Sequence, residues 1–90
     1  MNAKVYSLLK LFEIITRHGQ PTSEGKALQG ITVSSDADGY QLEFRSNGVR
    51  ISIGFHNTYL ETGESKQALS QFFKKADRLL KSYEQQRVVG

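Results

Sequence analysis

The stretch YQLEFRSNGVRISIGF, residues 40–55, decides the fold. Apolar and polar residues alternate on either side of Asn47-Gly48, the pair favoured in two-residue type I′ turns, where both central positions need a positive φ. The turn sets the register. With Ser46 across from Val49, Phe44 faces Ile51, Leu42 faces Ile53 and Tyr40 faces Phe55, all on one side of a hairpin. Glu43, Arg45, Arg50 and Ser52 take the other side, which therefore reads as wet.

Just upstream, Ile31 and Val33 alternate with Thr32 and Ser34, and Asp36-Ala37-Asp38-Gly39 returns the chain to Tyr40. A four-residue loop there places Val33 opposite Leu42 and Ile31 opposite Phe44, on the same apolar side. Leu28 has the wrong parity for that side, so Gly30 reads as a bulge that breaks the alternation. Three strands, about 30–35, 40–46 and 49–55, thus form an antiparallel meander. The third is its edge, with Arg50 as the only charge on its outer side.

Both flanks read as amphipathic helices. Val5, Leu8, Leu9, Leu11, Phe12 and Ile15 share one arc of a helical wheel, so the spacing predicts a helix over about 3–18, capped near Asn2 and stopped before Pro21. Residues 20–26 then read as a surface loop, and His56 to Thr62 as a polar-aromatic link. A second helix, about 64–86, carries Ala68, Leu69, Phe72, Phe73, Ala76, Leu79, Leu80 and Tyr83 on one arc. Thr62 or Ser65 can cap it, and Glu61 and Glu64 suit the positive end of its dipole. A one-sided sheet and two one-sided helices have one simple arrangement: a single α+β domain over 1–90, a two-layer α-β-β-β-α sandwich with both helices on one face of the meander.

Ninety residues hold one core, which excludes a multidomain enzyme. No cysteine is present, so disulfides and thiolate chemistry are excluded together. Lys10 and Glu13 interrupt the apolar N-terminal segment, which therefore does not read as a signal peptide, and nothing is long enough to span a bilayer; the chain reads as soluble and cytoplasmic. The formal charge of +3 is unevenly spread. Lys66, Lys74, Lys75, Arg78, Lys81 and Arg87 face only Asp77 and Glu84 within the last helix, so the basicity belongs to that element.

Motifs for chemistry are few. His18 and His56 lie at no ligand spacing from each other or from carboxylates, so no metal or cofactor is expected. Asp36-Ala37-Asp38-Gly39 has the start of a calcium loop but lacks its later oxygen ligands, and the same residues suit a tight connection. No serine sits beside a recognisable base, and no Gly-rich phosphate loop precedes a helix, so the chain reads as no enzyme. Two clusters stand out as anion or partner contacts. Lys74, Arg78 and Lys81, at i, i+4 and i+7, lie opposite the apolar arc of the last helix, either as a solvated face or as a dock for an acidic surface. Arg45 and Arg50 face each other across the hairpin, a like-charge pair that either leans on Glu43 or holds a carboxylate or other small anion.

The element order with a basic last helix resembles the double-stranded-RNA-binding domain. That family grips phosphates through its first helix and through two further places, the loop between its first two strands and the lysine-rich start of its last helix. Here those places carry Asp36 and Asp38, then Glu61 and Glu64, which repel phosphate. A second resemblance rests on DGYQLEF, FHNTY and LSQFFKK: together they are similar to a family of small bacterial proteins of unknown function, from the first helix to about Leu80. That family implies no activity, cofactor or catalytic residue. The expected function is therefore a non-catalytic protein-interaction or regulatory module with a protein partner, monomeric or paired with itself through the third strand; the alternative is a nucleic-acid-binding domain. No membrane partner is expected.

Overall fold

A computed structural model describes residues 3–54 and 58–89, with side chains over 4–54 and 58–84. Its centre is the hairpin of β4 (Gln41–Ser46) and β5 (Val49–Gly54), joined through Asn47-Gly48. Phe44 pairs with Ile51, Leu42 with Ile53, and Arg45 with Arg50, as the alternation requires. The turn is not type I′: Gly48 has φ 77°, whereas Asn47 stays out of the positive region. The backbone of Gly48 is held from outside the hairpin, because its carbonyl accepts from the Glu64 amide at 2.9 Å. The expected Tyr40–Phe55 pair falls outside the described residues, as do the Asn2 cap, His56 and Asn57.

The sheet is larger than a three-stranded meander. Six antiparallel strands follow one another in sequence order: β1 (Gln20–Thr22), β2 (Gly25–Leu28), β3 (Ile31–Ser35), β4, β5 and β6 (Tyr59–Gly63). Residues 20–26, read as a loop, make most of a hairpin closed by Thr22, whose hydroxyl donates to the Gly25 carbonyl at 2.9 Å and accepts from the Glu24 amide at 3.1 Å. Gly30 marks a turn rather than a bulge. Gln29 at φ 53° and Gly30 at φ 80° have the sign pattern of type I′, and Leu28 pairs with Ile31 across it. Leu28 therefore shares the parity of Ile31 and packs against the core.

Between β3 and β4 the register differs by two residues from expectation, with Val33 opposite Phe44 and Ser35 opposite Leu42. The Asp36 carboxylate accounts for it, accepting from the amides of Tyr40 at 2.8 Å and Gln41 at 3.2 Å. Tyr40 thus belongs to the loop. A shift of two leaves every side chain on its original face, so the core is unchanged. The strand from Val49 is not an edge: β5 pairs with β4 on one side and β6 on the other, so it has no free backbone for a second copy.

Helix α1 (Ala3–His18) and helix α2 (Lys66–Val89) flank the sheet in sequence and cover the same face of it. Ser65 caps α2, its hydroxyl accepting from the Ala68 amide at 3.1 Å. Leu8, Leu11 and Ile15 of α1, Ile31, Val33, Phe44 and Ile51 of the sheet, and Phe72 and Ala76 of α2 form one buried cluster. Phe12 meets Phe44 edge-on at 5.9 Å. Each fully buried Leu, Ile or Phe side chain contributes roughly 1.5–3 kcal/mol, and these residues hold the two layers together. Among the described residues, no helix is long and apolar enough to cross a membrane.

Candidate functional site

Among the described residues, no helix lies on the opposite face of the sheet. Successive strands place Thr32, Ser34, Gln41, Glu43, Arg45, Arg50, Ser52, Leu60 and Thr62 there by register. Arg45 and Arg50 are neighbours, as the hairpin demands, but Glu43 lies between them. One Glu43 oxygen receives Arg45 at 2.6 Å, and the other lies 3.8 Å from Arg50. Glu24, from the β1–β2 turn, reaches Arg45 at 3.4 Å. Among the described residues, Arg45 is thus engaged by two carboxylates and Arg50 by one, at longer range. Around them lies a groove of about 610 Å³ lined by Thr32, Arg45, Asn47, Arg50, Leu60 and Thr62. A second hollow of about 460 Å³, between Asp36, Tyr40, Ser52, Thr58 and Leu60, adjoins it.

Leu60 separates the two hollows and is 61% exposed, with Tyr40 59% exposed at the far rim. A large apolar side chain so placed on a sheet face that is polar apart from Ala27 is the main feature that sequence reasoning missed. The signal was concealed because β6 reads Tyr-Leu-Glu-Thr-Gly, with a charged residue at the inward position. Glu61 pairs with Ile51 and so points to the helix side. There Lys4 of α1 reaches its carboxylate at 3.0 Å, and the Tyr59 hydroxyl donates to it at 2.6 Å. Those two hydrogen bonds, the tyrosine's first, hold the Glu61 carboxyl below its ordinary pKa. Burial, helped by the neighbouring carboxylate, pushes the Tyr59 phenol well above its own. Lys4 also sits 4.6 Å over the Phe73 ring. Glu61, read from sequence as a complement to the α2 dipole, instead ties the sheet edge to α1.

The basic set on α2 is not joined to the Arg45–Arg50 pair. Lys74, Arg78 and Lys81 are exposed on the side of α2 turned away from the sheet, across the molecule from the open face. Lys81 pairs with Asp77 at 3.1 Å. Lys74 and Arg78 have no anionic partner among the described residues. The adjacent Lys75 turns inward to Ser46 Oγ at 3.3 Å. At the other ends of the helices, His18 packs its ring on Tyr83 at 4.7 Å beside a hollow of about 380 Å³. Among the described residues, no three His, Cys, Asp or Glu side chains gather to hold a metal ion.

By fold, then, the molecule is a two-layer α+β domain whose six-stranded antiparallel sheet is covered on one face and open on the other. The chain belongs to the family described as protein of unknown function DUF3081, whose family model covers residues 3–86. No curated protein and no solved structure matches it. Membership in a family of unknown function thus holds over nearly the whole chain. The likeness to the double-stranded-RNA-binding domain does not: three additional strands replace its α-β-β-β-α order.

Proposed function

We propose that this chain is a non-catalytic protein-interaction or regulatory module of the cytoplasm, which receives its partner on the uncovered face of the sheet. The observation that carries the reading is Leu60, a large exposed apolar side chain between two hollows on a face lined mainly by Thr, Ser, Gln and paired charges. Interfaces commonly combine an apolar centre with a polar rim in this way. A photoreactive residue in place of Arg50 tests it in cells. Protein adducts are expected there and not with the same residue in place of Lys74; adducts at Lys74 alone would contradict the reading.

Lys74 and Arg78, exposed and without carboxylate partners among the described residues, favour a second reading in which the outer side of α2 meets a nucleic-acid backbone. That reading expects retardation of duplex RNA or DNA at low ionic strength, lost in Lys74→Gln with Arg78→Gln. No retardation removes it.

A further inference from the structure

The two edges of the sheet differ in what their backbones offer, and the hydrogen-bond pattern shows how. Glu64 N–H bonds to the Gly48 carbonyl and Gly54 N–H to the Thr58 carbonyl, each at 2.9 Å. These bonds bracket the β5–β6 ladder, whose register pairs Arg50 with Thr62 and Ser52 with Leu60. In an antiparallel ladder the bonded pairs alternate. Leu60 and Thr62 therefore direct their N–H and C=O groups to β5, while Tyr59, Glu61 and Gly63 turn theirs to the open side. At the opposite edge, the two-residue turn at Gln29-Gly30 makes Leu28 and Ile31 a bonded pair, so Ala27 and Gly25 bond toward β1. The residue left facing outward in the middle of β1 is Pro21, which has no N–H to offer. Proline on a short strand is a common means of closing a sheet edge to other chains. No proline stands on β6, and its inward charge, Glu61, is bound by Lys4 and Tyr59 among the described residues.

We infer that β6 pairs with β6 of a second copy of this chain, about a two-fold axis at Leu60, so that one sheet runs through both molecules. This goes beyond the interaction reading above, because the contact lies along the sheet edge rather than on the open face. The register follows from side chains. With Leu60 opposite its counterpart, Tyr59 and Glu61 of each copy exchange backbone hydrogen bonds with Glu61 and Tyr59 of the other, four bonds in all. The two leucines then form a non-bonded pair, in which Cα atoms approach to about 4.5 Å and side chains are closest. Both lie on the outer face, where each covers the other's apolar surface. Moving the axis one residue, to Glu61, slides the strands by two and would instead set Glu61 against Glu61, which like charges oppose. Within each copy Lys4 holds the Glu61 carboxylate, so the favoured register brings no unpaired charge to the seam. Such a contact is small, and the pairing is a concentration-dependent equilibrium rather than an obligate dimer.

The chain contains no cysteine, which makes the register directly measurable. Leu60→Cys places two thiols across a non-bonded antiparallel pair, within the Cα separation that a disulfide accepts, about 4.4–6.8 Å. Under mild oxidation it is expected to form a covalent dimer at least tenfold faster than Thr62→Cys, whose counterpart lies several residues along the seam. Sedimentation of the unaltered chain should show a mass that rises with concentration, and Leu60→Lys should abolish the rise. Three results would overturn the inference: equal rates for the two cysteine variants, a preference for mixed disulfides between Leu60→Cys and Thr62→Cys chains when the two are combined, or a monomer at every concentration. A monomeric result leaves the adducts at Arg50 unaffected, so the two readings fail separately.

Discussion

β1 and β6 end the same sheet, yet they are built to opposite purposes. β1 is three residues long, exposed throughout, and turns Pro21 outward. β6 is five residues long, turns amides outward at Tyr59, Glu61 and Gly63 that meet no strand among the described residues, and carries Leu60 beside them. Its attachment is also stronger: Glu64 holds the Gly48 turn, Tyr59 and Lys4 hold Glu61, and Leu69 of α2 packs on Gly63. An edge can thus be open to a partner strand and still be rigid, because its side chains are fixed from the helix layer while its outward backbone groups stay available.

The contrast can be broken from its centre. Phe44→Ala removes the side chain on which Phe12 rests beneath the middle of the sheet. Deleting a fully buried aromatic costs about 3–5 kcal/mol, and both edges should lose order together. Thermal denaturation is expected to show one transition at a much lower temperature, and a loss confined to β6 would mean that the layers are not one cooperative unit.

A smaller change sharpens the comparison. Gly48→Ala forces a Cβ onto a residue at φ 77° and brings it within 2.6 Å of the Glu64 side chain. Strain at such a position is about 1–3 kcal/mol, and it falls on the turn that anchors the start of α2 and the end of β6. Amide exchange should accelerate in β6 and leave β1 nearly unchanged.

Glu61→Gln tests the same edge through pH. The native carboxyl titrates below its ordinary range, so its contribution is present at neutral pH, above the unfolded pKa, and is lost as pH falls through the lowered folded value. The unaltered chain should exceed the variant in melting temperature at pH 7, with the gap closing on acidification. A gap that is constant with pH would remove the ion pair from the account.

Much of this was legible in the sequence, and where it was not the reasons are physical. The β4–β5 register and the juxtaposition of Arg45 with Arg50 follow from alternation on both sides of Asn47-Gly48. The helices follow from their apolar arcs, with α2 starting two residues later than expected, at Lys66, and continuing to Val89. β1 and β2 were hidden because Gln-Pro-Thr and Gly-Lys-Ala-Leu are too short to display a period, and they become strands only because β3 is there to pair with. β6 was hidden by Glu61, an inward charge that makes the strand read as a link. Its partner Lys4 lies 57 positions away in sequence, a distance that no local pattern bridges. The Arg45–Arg50 pair was visible in the sequence as a like-charge conflict, and the fold resolves it with Glu43 on the same strand and Glu24 from the unforeseen hairpin.

Residue-resolved amide exchange across β6, measured at several protein concentrations, tests the open edge most directly. At low concentration Leu60 and Thr62 should be protected by β5 while Tyr59 and Glu61 exchange freely, and raising the concentration should slow Tyr59 and Glu61 alone. Uniform protection of all four at every dilution, or none at Leu60 and Thr62, would contradict the account.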